Sequence, residues 1–266
     1  MDSATLSEVL ADMREDGGGV TAPVPGNWKQ GRTAYGGFSA ALQLAAARRA
    51  FPDLPPLRST MVNFTGPISV PPSITTEMLR QGRNITTLRV VSTTEGKTAA
   101  SAIFSFGKAQ DSHVSATCPA PKANAPEDTE SFFPENMPKL PIGFFSNFDV
   151  RLIEGHRPFM GADRGYTRVW ARHRDANLHG TPEGLISIAD VLPPAAFALS
   201  TKMGPNSSVN WICNVLSEDL STRDGWWMIE SNLTAGHDGY SSQVMRMWNT
   251  RGELVVDGMQ SVVIFV

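Results

Sequence analysis

The sequence is poor in the residues that form covalent or metal cross-links. Cysteine occurs only twice in 266 residues, as Cys118 and Cys213, with no C-x-x-C pair and no neighbouring histidine. This usage is typical of a reducing compartment and provides neither a disulfide framework nor a zinc site. The five histidines are scattered without metal-ligand spacing. We therefore predict a protein that uses no metal or redox cofactor.

Long runs of one charge or of apolar residues are also missing. The formal net charge is −3, and no cluster of lysine and arginine is present, which disfavours a nucleic-acid partner. The acidic first sixteen residues lack an apolar core segment, and the final Ile264-Phe265-Val266 is no peroxisomal address. No apolar stretch is long and uninterrupted enough to cross a bilayer. We expect a cytoplasmic location and no membrane partner.

What the sequence does contain is a helix with an unusual entrance, at Arg32-Thr-Ala-Tyr-Gly-Gly-Phe38. The residues after the two glycines predict a helix with Arg48 and Arg49 in its last turn and Pro52 as its stop. Its apolar residues cover nearly the whole circumference, which is typical of a buried helix. The glycines leave the first-turn N–H groups open to another backbone or to a ligand. Such a helix followed by strands predicts a sheet wrapped around it.

The order of the remaining segments predicts two similar units in tandem. Strand patterns follow the helix at 59–64, 74–81, 86–93 and 99–106, and the second half contributes strands at 148–153, 166–172, 208–216, 226–235, 240–248 and 254–266. A helix-rich apolar segment lies at 181–200. We predict an α+β fold with an N-terminal unit at 1–117, a Pro/Ala-rich linker at 118–145 and a C-terminal unit at 146–266.

Several motifs in this order resemble one family. They are Trp28-Lys-Gln-Gly31-Arg-x-x-Tyr35-Gly-Gly37, Asn63-Phe64-x-x-Pro67, Gly82-Arg83-Asn84 and Ile188-Ala-Asp190. Together with the internal repeat they resemble the double hot-dog acyl-CoA thioesterases related to bacterial thioesterase II, over nearly the whole chain. The resemblance implies two hot-dog units, each an antiparallel sheet wrapped around a central helix, joined into one pseudo-dimeric sheet. It implies acyl-CoA as substrate, whereas a homo-oligomer of such chains is left open.

One carboxylate draws attention because of its apolar neighbours. Asp190 follows Leu185-Ile-Ser-Ile-Ala189 and precedes Val191-Leu-Pro-Pro194, where a buried charge is expensive unless it has a use. An alternative interpretation makes it the N-cap of a helix whose first turn holds both prolines. The resemblance implies the functional role, because the catalytic aspartate of the family falls in a matching Ser/Ala-Asp segment.

The resemblance implies two more site residues, both in strands. The hydroxyl residue of the family, usually threonine, corresponds to Ser208, with Ser207 and Asn210 as alternatives because the register is open. The glutamine of the family corresponds to Gln260. Without the resemblance, the alternative interpretation is that Ser208 is a hydroxyl at the end of a strand and that Gln260 is a strand residue facing solvent.

The resemblance implies thioester hydrolysis to a free carboxylic acid and coenzyme A. Asp190 would be the general base on a water held by Ser208 and Gln260. The N–H of Gly37 is the candidate for stabilising the oxyanion, and tight helix-to-sheet packing is the alternative reason for the glycine pair. The first unit has no acid in its helix, so we expect one active site per chain.

Other functions are disfavoured to different degrees. No histidine follows an aspartate at the five-residue offset of hot-dog enoyl hydratases. Gly37-Phe-Ser-Ala-Ala41 only superficially matches a nucleophile elbow, because the final glycine is missing. The remaining alternative is a double hot-dog protein that binds acyl thioesters or fatty acids without turnover.

Overall fold

The structure, a computed structural model, describes residues 2–134 and 142–265. Within them lie three α-helices: α1 (Leu6–Ala11), α2 (Gly36–Ala50) and α3 (Pro182–Ala189). The strands of the first half are β1 (Arg14–Asp16), β2 (Gly19–Thr21), β3 (Lys29–Gln30), β4 (Thr33–Ala34), β5 (Leu57–Phe64), β6 (Ser73–Gln81), β7 (Ile85–Thr94) and β8 (Lys97–Gly107). The strands of the second half are β9 (Phe148–Gly155), β10 (Tyr166–His173), β11 (Asn206–Val215), β12 (Trp227–His237), β13 (Tyr240–Trp248) and β14 (Leu254–Ile264). Part of the predicted linker, 135–141, and the predicted last strand residue Val266 lie outside the described residues.

One antiparallel sheet organises the fold. In the described part of the chain it has twelve strands, in the order β1-β2-β6-β7-β8-β5-β11-β14-β13-β12-β10-β9. The two halves of this order mirror each other about the pairing of β5 with β11, which runs from Asn63 opposite Asn210 to Ser59 opposite Asn214. The predicted architecture, two helix-and-sheet units sharing one sheet, is therefore confirmed. The predicted unit boundaries, 1–117 and 146–266, stay a prediction.

Helix α2 is the buried helix of the first half. Ten of its fifteen residues are buried, and it packs across β6, β7 and β8. It begins at Gly36, with Tyr35 as N-cap, so both glycines lie inside the first turn rather than before the helix. Arg48 and Arg49 occupy the last turn, where the helix dipole favours cations. The glycine entrance thus presents its N–H groups at the positive end of α2.

Helix α3 lies antiparallel beside α2, so that the N-terminus of each helix lies next to the C-terminus of the other. Thr181 caps α3 by accepting a 3.0 Å hydrogen bond from the Gly184 N–H, and Pro182 fits the first turn because its missing N–H needs no partner there. At this end Arg48 Nη1 donates to both carboxylate oxygens of Glu183, at 2.7 and 2.8 Å. The C-terminal end of α3 is therefore brought against the glycine entrance of α2.

The N-cap interpretation of Asp190 is wrong. Asp190 is the C-cap of α3, and the next helical turn, the 3-10 helix Ala195–Ala198, has Pro194 as its N-cap. The two prolines separate the helices, because the residue before a proline avoids the helical region. The Asp190 side chain is thus free of capping and available to other partners.

The start of the predicted linker covers an aromatic face of the second half. A separate apolar cluster consists of Trp170, Trp226, Met228 and Trp248, with Cys118 and Ala120 packed against it. Trp248 Nε1 donates to the Cys118 carbonyl at 2.8 Å, and Trp170 Nε1 donates to the Asn124 carbonyl at 2.9 Å. The tryptophans of this cluster are therefore core residues. Within residues 2–134 and 142–265, no helix is both long and apolar enough to span a membrane.

The β5–β11 junction leads to a prediction about half-chains. Residues 1–117 or 146–266 expressed alone would expose one of these strand edges, which is a template for pairing with another chain. We expect either half to self-pair or aggregate, measured by light scattering after size-exclusion chromatography beside the full chain. A half that elutes as a folded monomer with native-like circular dichroism would contradict the shared sheet as the stabilising element.

Candidate active site

The site is built where the N-terminus of α2 meets the C-terminus of α3. Tyr35 Oη donates a 2.8 Å hydrogen bond to the Ser187 carbonyl. A Cβ atom on Gly37 would lie 2.4 Å from that same carbonyl oxygen, and one on Gly36 would lie 2.7 Å from Asp190 Oδ2. Only glycine permits such an approach. Gly37 therefore packs on α3, whereas Gly36 meets both Asp190 and the Phe64 ring of β5, so packing on the sheet accounts for part of the glycine pair.

Asp190 is buried at this junction, with 8% of its surface exposed. Its Oδ1 accepts a 2.8 Å hydrogen bond from Gln260 Nε2, and the backbone N–H of Gly37 acts on the carboxylate from the end of α2. Burial raises the pKa of Asp190 to about 7, although the Gln260 hydrogen bond and the nearby Gly37 N–H both act to lower that pKa. A carboxylate with a pKa near neutrality can both remove and return a proton.

The charge of Asp190 acts on two further buried titratable side chains. Burial raises the pKa of Tyr35 and the pKa of Cys213 well above their usual values, and the negative charge of Asp190 raises both further. Both groups therefore stay neutral over the range in which Asp190 ionises. Asp190 is the member of this trio that changes charge near pH 7.

Ser208 reaches the site because of a β-bulge in β11. Ser208 pairs with Val262 and Asn210 pairs with Ser261, so Val209 is the extra residue between them. The next inward residue is Trp211, opposite Gln260. Strict alternation back from Trp211 would turn Ser208 outward, and the bulge reverses this. As a result Gln260 Nε2 lies 3.1 Å from Ser208 Oγ.

The two alternatives to Ser208 lie elsewhere. Ser207 is exposed, and its hydroxyl donates to the Ser208 carbonyl at 3.3 Å. Asn210 sits opposite Asn63 on the neighbouring strand β5. Of the three candidates, the structure places Ser208 in hydrogen-bonding contact with Gln260. The four predicted site residues, Asp190, Ser208, Gln260 and Gly37, are thus brought together.

Gln260 is buried, with 3% of its surface exposed, so the solvent-facing interpretation is wrong. Its Nε2 donates to both Asp190 and Ser208, and its Oε1 accepts a 2.8 Å hydrogen bond from Gln243 Nε2. Gln243 is a site neighbour that the sequence reasoning missed. The available signal was its place among inward residues of β13, where it alternates with Ser241 and Met245.

The histidines do not contribute to this cluster. His173, the buried one, pairs its Nε2 with the Gly184 carbonyl at 2.9 Å, at the other end of α3 from Asp190. In residues 2–134 and 142–265, no group of three or more His, Cys, Asp or Glu side chains is arranged to hold a metal ion. The groups that the cluster offers are one carboxylate, one hydroxyl, one amide and the positive end of a helix. They suit activation of a water beside a carbonyl group.

Two family models match the chain. One, described as the acyl-CoA thioesterase C-terminal domain, matches residues 117–264, and one described as the acyl-CoA thioesterase N-terminal domain matches residues 24–107. The first of these alone spans more than half of the 266 residues. No curated protein matches the chain.

Solved structures of similar fold cover nearly the whole chain. A conserved protein of unknown function with a hot dog fold from Alicyclobacillus acidocaldarius is 21% identical, with 99% of each chain covered and a TM-score of 0.87. The tesB protein of Mycobacterium avium subspecies paratuberculosis is 20% identical over 99% of this chain and 100% of its own, with a TM-score of 0.79. The acyl-CoA thioesterase II TesB2 of Mycobacterium marinum is 20% identical over 98% of each chain, with a TM-score of 0.75. These similarities confirm the double hot-dog fold.

Proposed function

This chain belongs to the acyl-CoA thioesterase family, and on that premise we propose that it hydrolyses acyl-CoA thioesters with Asp190 as general base. The products are a free carboxylic acid and coenzyme A. The supporting observation is that a buried carboxylate, the Gln260 amide and the Ser208 hydroxyl form one cluster, with Gln260 bonded to both partners. The cluster faces the N-terminus of α2, which supplies positive potential where negative charge develops.

In the proposed reaction a water molecule bound beside Asp190, Ser208 and Gln260 attacks the thioester carbonyl carbon. Asp190 takes one proton of that water as the new C–O bond forms. The carbonyl oxygen becomes an oxyanion, and collapse of the tetrahedral intermediate breaks the C–S bond. The proton on Asp190 then passes to the departing thiolate, which leaves the carboxylate ready for another cycle.

The N-terminus of α2 stabilises the negative charge of the reaction both on the Asp190 carboxylate and, later, on the oxyanion. The first intrahelical bond at this end runs from the Ser39 N–H to the Tyr35 carbonyl, so the preceding N–H groups have no partner within the helix. The Gly37 N–H favours the ionised form of Asp190, and so lowers its pKa, while that carboxylate carries the charge. Once Asp190 is protonated, the charge lies on the oxyanion, and the same helix end stabilises it there. This is the role that we propose for Gly37.

The proposal predicts a defined pH dependence. The base must be ionised, so kcat/KM for thiol release should rise about tenfold per pH unit below pH 7 and level off above it. The measurement is release of coenzyme A from short-, medium- and long-chain acyl-CoAs between pH 5 and 9, with and without a chelator. We expect the chelator to have no effect, because no described residue cluster suits a metal.

Two outcomes would count against this function. Tight binding of acyl-CoA without thiol release at any chain length would favour the non-catalytic binding protein. Release with a pH profile that is flat from 5 to 9 would leave hydrolysis standing but would remove a base with a pKa near 7.

A further inference from the structure

We propose that Gln243 is a positioning residue of the active site, which fixes the amide of Gln260 in the orientation that Asp190 requires. This inference rests on the proposed function and extends the site by one residue. Gln243 is almost fully buried, with 1% of its surface exposed, and it lies directly opposite Gln260 in the β13–β14 pairing. It touches neither Asp190 nor Ser208 in any hydrogen bond, so it acts through Gln260.

The hydrogen bonds form a relay with a single possible direction. The Ala195 N–H donates to Gln243 Oε1 at 2.7 Å, Gln243 Nε2 donates to Gln260 Oε1 at 2.8 Å, and Gln260 Nε2 donates to Asp190 Oδ1 at 2.8 Å. A backbone N–H can only donate, and an ionised carboxylate can only accept. The donor at Ala195 and the acceptor at Asp190 therefore fix where the oxygen and the nitrogen of each glutamine amide lie.

The orientation matters because a glutamine amide has two nearly isosteric ends. If Gln260 were rotated by half a turn about its last bond, its oxygen would face the Asp190 carboxylate and repel it. It would then also face Ser208 as an acceptor. With Gln243 in place, that rotation sets Gln260 Nε2 against Gln243 Nε2, two donors facing each other in a buried site. Gln243 thus penalises the unproductive rotamer.

The relay also closes a ring through the chain. Ala195 follows Asp190 by five residues, and Pro193 and Pro194 stiffen the segment between them. The backbone from Asp190 to Ala195 therefore forms one side of the ring. The other side is the chain of hydrogen bonds from the Ala195 N–H through Gln243 and Gln260 to the Asp190 carboxylate. Aligned hydrogen bonds of this kind polarise one another. The ring ties the segment after α3 to strands β13 and β14.

The test is the pH profile of kcat/KM for thiol release by the full chain. Gln243→Met removes the two hydrogen bonds that the Gln243 amide makes, to the Ala195 N–H and to Gln260, and keeps a side chain of similar length. The bond from Gln260 lowers the pKa of Asp190, so weakening that bond should move the acidic limb upward by about one pH unit. At pH 6 we expect kcat/KM about tenfold below wild type, and at pH 9 within about threefold.

A second variant separates orientation from packing. A glutamate at position 243 can accept from the Ala195 N–H, but its ionised form cannot donate to Gln260 and attracts Nε2 instead of Oε1. Gln243→Glu should therefore move the acidic limb of the kcat/KM profile to higher pH than Gln243→Met does. If Gln243→Met fails to fold, Gln243→Glu carries the same test, because its neutral form keeps the bonds to Ala195 and Gln260 and its ionised form loses the bond to Gln260.

The matched control is Gln43→Met. Gln43 is a fully buried amide in α2 whose Nε2 donates to the Val90 and Ala100 carbonyls, away from Asp190. It should lower the melting temperature without moving the profile. A Gln243→Met profile that superimposes on wild type, while Asp190→Asn is inactive, would overturn the role of Gln243 alone. An active Asp190→Asn would instead overturn the role of Asp190 as general base, and absence of thiol release by the wild-type chain would overturn the proposed hydrolysis.

Discussion

Asp190→Asn is expected to slow single-turnover release of coenzyme A by about 10²- to 10⁴-fold, the usual contribution of a general base. Asparagine keeps the shape of the side chain, and its single oxygen can still accept the hydrogen bond from Gln260. What it lacks is the ability to take a proton from water. Substrate binding should change little, so the loss should appear in turnover rather than in KM.

The same substitution should stabilise the fold at neutral and alkaline pH. The pKa of Asp190 is raised from an ordinary 3.8 to about 7, so between these values the folded chain holds a proton that the unfolded chain has lost. The free energy of unfolding therefore falls as pH rises through this window. Above pH 7 the buried charge costs roughly 4 kcal/mol relative to the neutral form. The asparagine side chain carries no such charge, and the advantage of the variant should grow from pH 4 to pH 7.

Denaturant unfolding of both proteins between pH 4 and 8 measures this difference. His173, whose burial lowers its pKa to about 4, destabilises both proteins alike at low pH and cancels in the comparison. The control is Asp257→Asn, an acid three residues from Gln260 that pairs with Arg246 at 3.2 Å and is partly exposed. It should leave turnover intact. Full turnover by a folded Asp190→Asn would remove Asp190 from the mechanism.

The parts of the fold that the sequence predicts are those with local signals. Alternation places β13 at 240–248, and the structure has it at Tyr240–Trp248. The all-round apolar pattern predicts a buried α2, because no exposed helix can present such a surface. The repeated order of helix and strands predicts the tandem architecture, because each unit must bury the same kind of helix.

The parts that escape prediction depend on contacts distant in sequence. Ser208 faces Gln260 because Val209 is an extra residue relative to β14. The position of such a bulge depends on the pairing of two strands, so the sequence of one strand does not predict it. Asp190 looks like an N-cap locally, since asparagine and aspartate before prolines commonly cap helices. Its real neighbours, Gly37 and Gln260, lie far away in sequence. Gln243 carries no motif; its inward place on β13 indicates burial, but only the hydrogen-bond relay connects it with the site.

Gly37→Ala tests whether the junction between α2 and α3 is as close as the mechanism requires. The new Cβ atom would lie 2.4 Å from the Ser187 carbonyl oxygen and 2.7 Å from Tyr35 Oη, so the two helix ends must separate. Overpacking of this kind usually costs about 1–3 kcal/mol of stability. The Gly37 N–H would move away from Asp190, and a displacement near 1 Å at a reacting centre lowers turnover about 10²-fold.

Gly66→Ala is the matched control, because its Cβ atom would meet only ordinary contacts, at 3.6 Å to the Thr98 carbonyl and 3.7 Å to Ala99. Melting temperature and thiol release are measured for both variants. Moving the Gly37 N–H away should also raise the pKa of Asp190, since that N–H lowers it, and the acidic limb of the Gly37→Ala profile should move upward. A variant with wild-type stability, turnover and pH profile would show that the helix end does not act on the carboxylate. In that case stabilisation of the oxyanion would have to come from another donor than Gly37.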